Sequence, residues 1–157
     1  NMLSNWVNML KYIGICEAVG MAGSLFTSRS IPTWYAKLHK PSIAPPSWVF
    51  GPVSTSLYAL MGISASIISQ KKEQGKRVGM TVFYLQLILN FLWTVIFFGM
   101  RSPFAALIEI FTLWIFIAVT IILFWKLSPV ASLLLVPYLI WTSFASVLNF
   151  LFWRINR

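Results

Sequence analysis

A chain of 157 residues, 59% hydrophobic and only 10% charged, has more apolar surface than a soluble domain of its length can bury, since such domains carry roughly 25% charged residues. It reads as an all-α membrane protein, a bundle of five transmembrane helices in a single integral domain, residues 1–157. The net charge of +9 does not point to nucleic acid, because the 12 Lys and Arg fall in short connectors between apolar runs, the cationic rim a membrane protein keeps at its headgroup zones.

A span takes about 20 apolar residues, each adding about 1.5 Å across about 30 Å of hydrocarbon. Five runs qualify, at approximately residues 6–26, 47–69, 78–99, 104–125 and 130–153. A barrel would need alternating segments of about 10 residues instead. The first run reads as a span rather than a cleaved leader, being long and lacking an A-x-A site. Its Gly14, Ala18 and Ala22 form a small-residue stripe for close helix contact, within the bundle or between protomers. Glu17, and Glu109 further on, are intramembrane carboxylates, by default functional candidates; structural hydrogen bonding or a neutral, protonated state is the other reading.

Residues 27–46 form the one long connector, with Arg29, Lys37, His39, Lys40 and four prolines. A long ordered loop is usually functional, and this one is expected to fold as a lid over one mouth of the bundle, where its cations would meet carboxylates of a ligand. In the second span, Ser54, Tyr58 and Met61 share a stripe, and Pro52 loosens the first turns. The third carries Gln86, Asn90, Trp93 and Phe97 on one face; such amides serve either as glue between helices or as ligand contacts. The connectors "MRSP" and "KLSP" end in proline, which suits a helix start. In the fifth span Pro137 predicts a kink, and Trp141, Ala145 and Asn149 follow on one face with Phe144 beside them. Three inward faces of aromatic and amide groups describe a cavity for a flat apolar ligand with a few polar groups.

Other chemistry is excluded by what is missing. The chain has no aspartate, one histidine (His39) and one cysteine (Cys16), so a Ser-His-Asp triad, a Cys/His zinc site and a disulfide framework cannot be built. No metal or other cofactor is expected to be required. Cations divide six against six between the two sides, Lys11, Lys71, Lys72, Lys76, Arg77 and Lys126 opposing Arg29, Lys37, Lys40, Arg101, Arg154 and Arg157, so charge does not orient the bundle.

The stretches "WYAKLHKPSIAPPSWVFGPV", "LQLILNFLWTVIFF" and "LLVPYLIWTSFASVLN" resemble the tryptophan-rich sensory protein / translocator protein family (TspO/MBR, the peripheral benzodiazepine receptor family) over nearly the whole chain. The size and composition resemble a bacterial member, multi-pass in the cell membrane. The resemblance implies a five-helix bundle, usually a homodimer, with a pocket opening toward the long loop. Its ligands would be porphyrins such as protoporphyrin IX, isoquinoline carboxamides and benzodiazepines. Carried onto this chain, the family's pocket residues are Tyr35, Pro45, Tyr58, Asn90, Trp93, Trp141, Phe144 and Ala145, with Ser54 at the position where the family pattern "GPVWTxLY" has tryptophan.

Some bacterial members are proposed to break porphyrin down with light and oxygen. Trp141 and position 54 are the candidate catalytic positions for that reaction, and Ser54 would impair it. The lost aromatic wall, roughly 1.5–3 kcal/mol of burial, corresponds to one or two orders of magnitude in affinity. The sterol motif of animal members lacks its tyrosine in "VLNFLFWR". Four functions remain open: a receptor or carrier for porphyrin-like ligands, a photo-oxidative enzyme, an ion-coupled exporter of lipophilic compounds resting on Glu17 and Glu109, and a scaffold subunit without a small ligand.

Overall fold

The computed structural model describes residues 2–157. Its helices are α1 (Met2–Ser30), α2 (Phe50–Ser69), α3 (Lys76–Thr94), α4 (Pro103–Leu127), α5 (Pro129–Leu134) and α6 (Val136–Asn156). They make five helical segments long and apolar enough to cross a membrane, α5 and α6 together forming the fifth. No strand occurs among the described residues. α1 packs along α2, α3 along α4, and α4 along α6. Large apolar side chains such as Met21, Ile122 and Ile140 remain exposed on the outside, as lipid-facing positions would.

Serines recur at the helix junctions for a physical reason. Ser102 and Ser128 each accept a bond from a backbone N–H three residues on, at 3.2 Å, with proline as the next residue. The hydroxyl satisfies one of the donors a helix start leaves free, and proline has no N–H to lose there. The charged turn before α3 closes on Gly75, whose φ of +96° suits only a residue without Cβ. Lys76 Nζ donates to the Ser69 carbonyl at the end of α2, at 2.5 Å.

Three departures from regular helix shape the end of the bundle that carries the long loop. α1 runs on to Ser30, beyond the expected 26, because no proline intervenes before Pro32 and the Ser28 hydroxyl donates back to the Leu25 carbonyl. α3 passes into a wider π-helical turn at Val95–Gly99, where the Met100 N–H reaches back five residues to the Val95 carbonyl at 2.8 Å. The fifth span breaks at Leu135, between α5 and α6, two residues before Pro137, whose missing N–H predicts a kink.

The loop covers this end. Tyr35 is buried with Phe97, Phe98, Ala106, Leu148 and Phe152 in one apolar cluster. The Ser30 hydroxyl donates to the Phe98 carbonyl. Asn156, at the end of α6, clasps His39 by two bonds, accepting from its N–H at 2.9 Å and donating to its carbonyl at 2.8 Å.

Candidate functional site

Beneath the loop lies a cavity of about 320 Å³. Small residues create the room: Gly20 and Gly23 on α1, Ser54 on α2 and Ala145 on α6. Aromatic residues make the walls: Tyr35 from the loop, Phe50 and Tyr58 from α2, Trp93 with the π turn's Phe97 and Phe98, and Trp141 and Phe152 from α6. Trp93 stacks on Phe97 with ring centres 5.0 Å apart. The wall between α1 and α2 includes exposed residues, Met21 and Ser24 facing Gly51 and Thr55. The cavity is therefore open sideways, at the level of the spans.

A second cavity of about 100 Å³ lies deeper, reaching Asn90, Ile110, Leu113 and Tyr138. Ser54, Tyr58, Trp93 and Trp141 belong to the walls of both. Ser54 thus stands where the two spaces meet, and a large side chain there would partition them.

The amides are committed to the bundle itself. Tyr58 donates its hydroxyl proton to Asn90 Oδ1, Asn90 Nδ2 donates to the Tyr138 hydroxyl at 2.9 Å, and Tyr138 donates to Gln86 Oε1 at 2.7 Å. This chain ties α2, α3 and α6 together. Trp93 Nε1 donates to Asn149 Oδ1 at 2.9 Å, and Asn149 Nδ2 donates to the Pro103 carbonyl, also at 2.9 Å. Of the two readings open to Gln86 and Asn90, the glue between helices is the one these bonds realise. Trp114 also bonds across helices, to Ser143 Oγ at 2.8 Å.

What the cavity keeps free is sparse. The Tyr35 hydroxyl is buried and has no hydrogen-bond partner among the described residues, and burial pushes the phenol's pKa above its ordinary value of 10.0. Glu17 lines the wall on α1. The loop cations do not take the place expected of them. None of Arg29, Lys37, His39 and Lys40 lines either cavity. Lys40 instead donates to the carbonyls of Tyr35, Ala36 and Leu38 at 3.1–3.4 Å and lies over the Tyr35 ring. A flexible ammonium with three donors is drawn to the carbonyls nearest it in the loop.

Of the site residues named from sequence, Tyr35, Ser54, Tyr58, Trp93, Trp141 and Ala145 lie together around the larger cavity, and Asn90 borders the smaller one. Pro45 is half-buried in the loop and lines neither. Phe144 also lies outside both and packs against the Trp141 ring at 5.4 Å, backing the wall. Phe50, Phe98 and Phe152 are wall residues that sequence reasoning passed over. Gly20 was passed over too; it fits against Tyr58, since a Cβ there would stand 2.6 Å from Cε2 of that ring. The spacing of Gly20 and Gly23 was the available signal.

The TspO/MBR family model matches residues 12–154. The chain belongs to the TspO/MBR family. Among its relatives, the "Tryptophan-rich protein TspO" of Chlorobaculum tepidum is 48% identical over 146 residues, covering 92% of each chain. The protein of the same name from Archaeoglobus fulgidus is 44% identical, over 96% of this chain and 99% of its own. The human "Translocator protein" is 40% identical, over 99% and 94%. Five apolar helices and this membership make the chain a multi-pass integral membrane protein.

Proposed function

We propose that this TspO/MBR protein is a membrane receptor or carrier whose larger cavity takes a flat, mostly apolar aromatic ligand, either a porphyrin-like tetrapyrrole or a drug-sized isoquinoline carboxamide or benzodiazepine. The observation that carries the reading is the cavity's composition, with aromatic walls on four sides and a buried, unpartnered Tyr35 hydroxyl. Ring faces supply area and stacking, and a lone polar group fixes orientation. The relatives' names, sensory protein and translocator protein, fit reception or transport.

At about 320 Å³ the space is near the lower end for ligand pockets. A drug-sized ligand fits within it, whereas a tetrapyrrole would extend through the opening between α1 and α2. Light-dependent breakdown of a porphyrin would be weak in this chain, with serine and not an indole at position 54. The exporter reading needs a proton relay. Glu17 lines the cavity, but Glu109 lines neither space. We propose further that the protein pairs as a homodimer, since Gly14 and Ala18 face outward on α1 and leave a small-residue stripe uncovered.

The test is titration of protoporphyrin IX in lipid nanodiscs, followed by absorbance under light, for the protein and for Ser54→Trp. Saturable tryptophan quenching is expected from both. Ser54→Trp should bind one to two orders of magnitude tighter through the restored wall and should consume the porphyrin faster. Absence of saturable quenching in both would overturn the reading in favour of a scaffold.

A further inference from the structure

The two cavities meet at a neck whose frame is held in place. Ser54, Tyr58, Trp93, Trp141 and Ala145 belong to the walls of both. The Tyr58 ring is tied to Asn90 Oδ1, and the Trp93 ring to Asn149 Oδ1 at 2.9 Å, so neither swings freely across the gap. The width of the neck therefore falls to its small residues, Ser54 on α2 and Ala145 on α6.

Beyond the neck the surroundings are apolar. Leu57, Met61, Ile110 and Leu113 are buried around the deeper space. The polar side chains there are already engaged: Asn90 Nδ2 donates to the Tyr138 hydroxyl at 2.9 Å, and the Thr142 hydroxyl to the Tyr138 carbonyl at 2.8 Å. The space therefore offers mainly hydrocarbon contact, and an empty apolar wall forfeits that contact. An apolar cavity of about 150 Å³ takes benzene, so one of about 100 Å³ takes a smaller group of about four carbons. We infer that Ser54 is a specificity-determining residue: it keeps the neck open, so that a flat aromatic ligand in the larger cavity passes a short hydrocarbon branch into the deeper one. This rests on the larger cavity being the binding site and deepens that reading by naming the shape of what binds. An unbranched ring fills the larger cavity alone and leaves the deeper one empty.

The test uses two flat, neutral probes that differ only in the branch, 2-methylanthracene and 2-butylanthracene. Each is titrated by tryptophan quenching into the protein, Ser54→Trp and Leu113→Phe in phosphatidylcholine nanodiscs, with empty nanodiscs subtracted. The ratio of the two affinities is taken within each form and compared between forms, which cancels the probes' different partition into lipid. The ratio in the unaltered protein is expected to favour the butyl probe about tenfold more than in either variant, because tryptophan closes the neck and phenylalanine fills the deeper space from α4. Leu113 does not line the larger cavity, so agreement between the variants separates the deeper space from any other effect of an indole at position 54. Saturable binding of the methyl probe shows that each variant is folded. If the ratio is the same in all three forms, the branch leaves by the opening between α1 and α2, and the inference is overturned while the larger cavity stands. A change in one variant and not in the other overturns it too, because the branch would then not run through the neck into the deeper space. Absence of saturable binding by either probe to the unaltered protein would overturn the cavity reading together with the inference.

Discussion

Tyr35 holds a hydroxyl in a place where a hydroxyl is costly. Its oxygen is buried and unpartnered, and a buried polar group without a hydrogen bond costs about 1–3 kcal/mol. Tyr35→Phe removes that cost along with the group. The ligand-free protein should therefore be unchanged or more stable in a thermal melt, while a ligand that accepts from the phenol should bind about tenfold more weakly. The pH behaviour follows from the raised pKa. The neutral phenol is favoured by folding, so its contribution is fully present below about pH 10 and is lost as pH rises through the higher folded value. Binding through this hydroxyl should be flat from neutral pH to about 10. Glu109 raises a similar matter away from both cavities, since both its carboxyl oxygens are buried without a partner among the described residues. Glu109→Met keeps the length and drops the polar atoms. We expect a gain of about 1–3 kcal/mol in unfolding assays in detergent, and a loss of stability there would mean that the carboxyl has a structural use.

At the scale of the helices, the seam between α1 and α2 is set by glycine. At Gly62 a Cβ would overlap the backbone of Ile13, and backbone cannot turn aside as a ring can. Gly62→Ala should push the two helices apart, at a cost of about 1–3 kcal/mol. Thermal unfolding would register the loss, and protoporphyrin titration would register the disturbed cavity wall. The five spans were legible in the sequence because each is a solid apolar run, and the break before Pro137 was legible because proline removes a donor. The π turn at Val95–Gly99 was not. Nothing in "VIFFG" differs from an ordinary helix end, although the turn's Phe97 and Phe98 pack in one apolar cluster with the loop's Tyr35. The longer α1 was missed for a related reason: polar residues 27–30 read as loop, but the Ser28 hydroxyl bonds back within α1 and the Ser30 hydroxyl reaches the Phe98 carbonyl.

For the molecule as a whole, Tyr35, Ser54, Tyr58, Trp93, Trp141 and Ala145 were legible through the family motifs that carry them, whereas the wall residues Phe50, Phe98 and Phe152 and the small Gly20 were not. Which amide bonds which group was not, because Asn90 and Asn149 choose partners 48 and 46 residues away in sequence. Nor was the retreat of the loop cations, which depends on carbonyls the loop exposes only once folded. The sideways opening between Met21 and Ser24 on one helix and Gly51 and Thr55 on the other carries a last consequence. A ligand using that door arrives from dissolved solution in the bilayer, so the quantity that sets occupancy is its mole fraction in lipid and not its molarity in water. Doubling the lipid at constant total ligand should then halve the apparent affinity, with no change in the protein.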